Sequence, residues 1–216
     1  MKKFELTTEF ITNMFGKKLF RIKALVEFGN VKAGELGGYV EKEENVSQDG
    51  NAWVSGDARV YGDAEVSGDA RVSGNAEVSG NARVSGNARV YGNAWVSGNA
   101  EVYGNAWVSG NAEVYGDAWV SGNAWVYGNA RVSGNARVSS DADYALVQGF
   151  GTEFRCTTFY RGKNKKIMVN CGCFHGDLEG FRKQVKETRN GKIAKEYLMI
   201  ADLMEYHFTS EDSSNE

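Results

Sequence analysis

Valine recurs at every sixth residue from Val54 to Val138, and an alanine stands two places before each, from Ala52 to Ala136. Neither an amphipathic helix nor a half-buried strand has that period. The repeating unit is Gly, Asn or Asp, Ala, any residue, Val, Ser or Tyr, fifteen times in succession. Period-two alternation around each valine turns it inward and sends the residues on either side of it outward. Gly and Asn/Asp then read as corner residues that tolerate left-handed backbone angles, and Ala as the side chain small enough to fit inside a corner. Such short units bury their apolar edge only by stacking, so the pattern predicts a solenoid.

The outward residue before each valine gives the number of sides. With three strands per coil, residues 18 apart stack at about 4.8 Å. One face then reads Trp53, Arg71, Arg89, Trp107, Trp125; the second reads Arg59, Glu77, Trp95, Glu113, Arg131; the third reads Glu65, Arg83, Glu101, Trp119, Arg137. Among the twelve stacked neighbours four are opposite-charge and one, Arg71 with Arg89, is like-charge. A 12-residue coil gives four like-charge neighbours and two opposite ones. Stacked like charges are destabilising, so three sides are favoured. Five regular coils follow, rising roughly 24 Å. This arrangement resembles the hexapeptide rule of the left-handed parallel β-helix, a known exception to right-handed crossovers.

The flanks break the repeat. Residues 1–48 contain a strand-like stretch, 18–26, and a lead through Gly37–Val40 into an imperfect coil around Val46, and read as an N-terminal cap on the solenoid of residues 49–143. Residues 144–208 predict a small α+β module. Its strands fall near 144–150, 153–161 and 166–173, with a turn at Gly162–Lys165. Asp177 caps a helix over 178–189, and a second helix runs over 192–207. Residues 209–216 read as a disordered tail. The fold class is therefore mainly β, a solenoid with a cap at one end and a small module at the other.

Arg21–Ala24, Val31–Gly34, Gly37–Val40 and Ser47-Gln48 before Gly50–Trp53 resemble the N-terminal signature of prophage- and phage-encoded hexapeptide-repeat proteins. The resemblance covers residues 20 to about 140. Members are commonly labelled acyltransferases or polymer-forming proteins, which implies coenzyme A and a histidine base for the first label and self-assembly, often as trimers, for the second. Residues 49–143 hold no His, no Cys and no inserted loop, and the whole chain has two His where a carbonic-anhydrase-like metal site needs three. No Thr lies between Thr12 and Thr152, which removes an ice-binding reading. The expectation is a non-catalytic protein without a cofactor.

Composition adds bounds rather than a function. The net charge of −3 argues against a nucleic-acid footprint, no apolar run is long enough to span a bilayer, and three cysteines favour a reducing cytoplasm. Cys171, Cys173 and His175 share a strand face if the strand persists, and are weak metal candidates beside the plainer reading of core packing. The basic run from Arg161 to Lys166 reads as a solvated hairpin tip, with anion contact as the alternative. All five tryptophans sit at outward positions, as do five tyrosines, and Arg89, Tyr91, Trp107, Trp125 and Tyr127 gather on one face in the last three coils. Arg and aromatic residues are the types enriched in interface hot spots. The expected partner is a protein, a second copy of the chain (dimer or trimer), or both. Phage origin extends this to an inhibitor of a host defence protein, an anti-CRISPR being one such kind.

Overall fold

The computed structural model describes residues 2–209. Three strands lead in, β1 (Phe4–Thr12), β2 (Lys18–Ala24) and β3 (Leu36–Val40), followed by fifteen two-residue strands, β4 (Trp53–Val54) to β18 (Arg137–Val138). These stack as parallel sheets on three faces, β4-β7-β10-β13-β16, β5-β8-β11-β14-β17 and β6-β9-β12-β15-β18. The register sets Arg71 beside Arg89, Glu77 beside Trp95 and Arg83 beside Glu101, so the 18-residue coil is the one the chain adopts. With Val40 beside Val60 and Val46 beside Val66, the lead-in adds part of a further turn. Every valine and alanine of the repeat is buried, filling the prism with small side chains in register.

The corners differ from the expectation in one respect. Only the glycines take positive φ, as at Gly80 (+68°); no Asn or Asp of the repeat does. Gly80 is needed twice over, since an added Cβ would lie 3.0 Å from the backbone of Gly98 in the next coil. The Asn side chains serve a different purpose. Asn75 donates through Nδ2 to Asn93 Oδ1 at 3.2 Å, Asn93 to Asn111 at 3.1 Å and Asn111 to Asn129 at 3.1 Å. The other corners carry the same amide ladder, Asn81 to Asn99 to Asp117 and Asn87 to Asn105 to Asn123. An Asp accepts but cannot donate onward, so a ladder stops at Asp69, which accepts from Asn51, and at Asp117, which accepts from Asn99.

In each coil the N–H groups of the Asn/Asp, outward and Ser/Tyr positions point toward the C-terminal end, as when Arg71 N donates to Ala88 O at 2.9 Å. The N-terminal end of the prism thus presents Gly and Ala carbonyls, and the C-terminal end presents N–H groups of the outward and Ser positions. Each is closed by its complement. Lys3 Nζ donates to Ala52 O (2.9 Å) and Gly50 O (3.3 Å), and Asn45 Nδ2 to Ala64 O (2.8 Å) and Gly62 O (3.1 Å). At the other end Asp141 accepts from Trp125 N (2.7 Å), Thr158 from Arg131 N (2.9 Å) and Asp143 from Ser139 N (2.8 Å), one acceptor for each face. Burial and the nearby Arg71 guanidinium lower the Lys3 pKa to about 8, against the pull of Asp49 and Asp69.

Beyond Asp143 the chain forms an antiparallel sheet in the order β19 (Tyr144–Phe150), β20 (Arg155–Arg161), β21 (Ile167–Cys171), β22 (Phe174–Asp177). Helices α1 (Leu178–Thr188) and α2 (Gly191–Thr209) pack on one side of it around Phe159, Val169, Phe181 and Tyr197. Asp177 Oδ1 caps α1 by accepting from Gly180 N at 2.8 Å. Thr209, assigned to the tail from sequence, closes α2 with its hydroxyl on Glu205 O; the rest of the expected tail lies outside the described residues. Tyr144 and Tyr160 close the solenoid core from the other side of the sheet.

Candidate binding face

Several outward residues of the prism, four of the tryptophans among them, rest diagonally on the Ser or Tyr of the coil below, sixteen positions earlier. Trp125 Nε1 donates to Ser109 Oγ at 3.2 Å and Trp95 Nε1 to Ser79 Oγ at 3.4 Å, while Tyr61 donates to Glu77. Where that position is Tyr, two rings meet edge to face, Tyr91 with Trp107 at 6.1 Å and Tyr103 with Trp119 at 6.2 Å. The diagonal neighbours are within reach of large side chains, and they decide which aromatics are supported. The stacking by eighteen alone does not show this.

On the first face these contacts join into one stack. Arg89 lies over the Trp107 ring at 5.1 Å, Trp107 meets Trp125 at 5.5 Å, Trp125 meets Tyr127 at 5.5 Å, and Tyr127 meets Tyr144 at 6.5 Å. The structure therefore brings together Arg89, Tyr91, Trp107, Trp125 and Tyr127, and adds Tyr144, which the sequence pattern missed because it stands beyond the repeat. Tyr144 also donates to Trp125 O at 2.6 Å and anchors the top of the stack. Burial, with Tyr127 and Asp141 nearby, raises its phenol pKa. The stack is supported from below yet open above, with Trp125 43% and Tyr127 53% exposed.

Trp53 corrects the expectation for this face. It is 2% exposed, because the lead-in segment covers it: Phe4 and Phe28 pack on its ring at 6.2 and 5.4 Å, and Gly37 leaves it room. Tyr61 is likewise buried, with Leu19 and Tyr39. The first face thus has a covered foot and an open aromatic top.

The weak metal candidates do not converge. The strand does not persist, since the chain reverses at Gly172 (φ +61°) and pairs Cys171 with Phe174 and Asn170 with His175. Cys171 accepts from Thr157 Oγ1 at 3.1 Å on the helix side, Cys173 is exposed in the turn, and Cys156 donates to Asn129 O at 3.3 Å. His175 faces the last coil, its Nδ1 held by Asn170 Oδ1 at 2.7 Å and 3.3 Å from Ser133 Oγ. The nitrogen nearest Ser133 is already engaged, so the contact pins the module to the solenoid rather than arming a nucleophile. Among the described residues no group of His, Cys, Asp and Glu is placed to hold a metal ion. Arg161, at the start of the basic hairpin, pairs with Asp143 at 3.1 Å and lies over Phe208.

The comparison with known families agrees with the geometry. Residues 76–92, 82–98 and 130–142 match the YdcK beta solenoid repeat. The chain is a β-solenoid repeat protein. The matched residues lie in the coils of the β-solenoid and the turn just after the last of them, and include neither the lead-in strands nor the C-terminal sheet and helices. No curated protein matches the chain. No described helix is long and apolar enough to cross a membrane.

Proposed function

We propose that this β-solenoid is a non-catalytic binding protein that presents its first face to a protein partner. The observation that carries this reading is the continuous stack from Arg89 through Trp107 and Trp125 to Tyr127 and Tyr144, open on its outer side. Contiguous exposed aromatic surface on a rigid sheet loses little side-chain entropy on binding and marks interaction sites. Origin in a phage or prophage, and a host defence protein as target in the manner of an anti-CRISPR, extend the proposal from the resemblance of the lead-in segment.

A self-assembling structural role is the second reading, favoured by the same aromatic face. Its end-to-end form has less support, since both rims of the prism are closed by side chains of the chain itself. Coenzyme A-dependent acyl transfer has the least, with His175 Nδ1 held by Asn170. Capture of tagged protein from bacterial lysate tests the proposal. A stoichiometric partner retained by the native chain and lost from Trp107→Ala/Trp125→Ala is expected. Recovery of the chain alone, with a native mass that the double variant lowers, points to assembly instead. Acyl transfer from acetyl-coenzyme A that His175→Ala abolishes would overturn both.

A further inference from the structure

Arg71 and Arg89 form the one like-charge step in the solenoid, paired directly across β7 and β10. On the second and third faces arginines stand beside a glutamate, as Arg59 with Glu77 and Arg83 with Glu65 and Glu101, or over an indole, as Arg137 over Trp119 at 4.0 Å. Arg71 has Trp53 below it and Arg89 above; Arg89 has Arg71 below it and Trp107 above. Neither guanidinium makes an ion pair among the described residues. Lys3 adds a third cation near Arg71, with Asp49 and Asp69 as the acids acting on that ammonium. Stacked like charges repel, so the step gains stability from an anion seated between them.

The two guanidiniums open onto a shallow groove whose lining includes Asn30, Ser55, Ser73 and Tyr91, and which ends at Trp107. Hydroxyls and an amide there supply further polar groups for an oxyanion, and the aromatic stack begins where the basic step stops. We propose that Arg71 and Arg89 seat an aspartate or glutamate carboxylate of an acidic segment of the protein partner, whose neighbouring apolar side chains lie on Trp107 and Trp125. This rests on the binding-face reading and names the chemistry of the partner. Charge complementarity selects the occupant. A nucleic acid would call for a basic stripe tracking a backbone, whereas the solenoid carries one isolated basic step and the chain a net charge of −3.

The test titrates the full chain with an oligoglutamate peptide, and separately with inorganic phosphate at matched ionic strength, reading arginine Nε and tryptophan indole resonances. Saturable shifts at Arg71, Arg89 and the Trp107 indole are expected with the peptide. Its affinity should fall about tenfold or more in Arg71→Gln/Arg89→Gln and stay unchanged in Arg83→Gln, a control on the third face. No shift, a uniform shift of all arginines, or equal occupancy by phosphate at the same concentration would overturn the proposal. So would a concentration-dependent native mass that Arg71→Gln/Arg89→Gln abolishes, which assigns the anion to a second copy. A captured partner lost from the tryptophan variant but bound unchanged by Arg71→Gln/Arg89→Gln would refute the carboxylate seat and leave the binding face standing. Peptide binding without any captured partner would do the reverse.

Discussion

The first face of the prism and the other two share one backbone repeat and one buried core, yet they solve the outward positions differently. On the second and third faces every arginine stands beside a glutamate or over an indole; Arg131 meets Glu113 at 3.2 Å, for example. Their arginines are matched, and their exposed indoles, Trp95 and Trp119, stand singly. The first face pairs arginine with arginine, indole with indole, and leaves its upper half open. A repeat that fixes the fold so completely leaves the outward positions free to carry function, and the proposed binding role rests on the contrast between faces.

The contrast breaks first at the foot of the face. Trp53 is packed by the lead-in segment and its indole N–H has no hydrogen-bond partner, so its value lies in packing. Trp53→Ala should cost about 3–5 kcal/mol in chemical denaturation. Trp95→Ala, at an exposed position of the second face, should stay within about 1 kcal/mol. The upper face should behave in the opposite sense, with Trp107→Ala/Trp125→Ala weakening a captured partner by about 2–4 kcal/mol in titration calorimetry. Trp95→Ala/Trp119→Ala should change that affinity by less than about 0.5 kcal/mol; equal losses would erase the distinction between faces.

Lys3 sharpens the account of the covered foot through pH. The folded chain lowers its pKa from 10.5 to about 8, with burial the largest cause. Between those values the unfolded chain binds more protons, so stability rises with pH across that window, by about 1–3 kcal/mol. Above pH 10 the gain is opposed, because Tyr61 is raised to about 12, chiefly by burial, and the unfolded chain ionises first. Urea midpoints from pH 7 to 10 should climb for the native chain and stay flat for Lys3→Met, which also leaves Ala52 O without its donor. The smallest effect is the most diagnostic: Arg71→Glu gives Arg89 an acidic neighbour, as arginines have on the other faces, and should add about 0.2–1 kcal/mol of stability. The same change should weaken binding of an acidic partner.

The fold was legible because the repeat left few alternatives. Period six marks the strands, and charge neighbours at eighteen select three sides. What escaped was whatever depends on atoms outside that lattice. The burial of Trp53 needed β1, which carries no repeat signal, and the end of the strand at Cys171 needed the turn that Gly172 makes. Backbone tolerance alone does not account for Asn at the corners, where its amide donates to the next coil; the predominance of Asn over Asp along each corner held that signal. The aromatic group on the first face was visible at Arg89, Tyr91, Trp107, Trp125 and Tyr127. Its continuation to Tyr144, and the diagonal support from Ser109, required contacts sixteen residues apart and beyond the repeat.

Hydroxyl-radical footprinting of the tryptophans, with and without the captured partner, tests the central claim most directly. The account predicts protection of Trp107 and Trp125 with Trp95 and Trp119 oxidised at unchanged rates. Protection of Trp95 or Trp119 with Trp107 and Trp125 still reactive would contradict it.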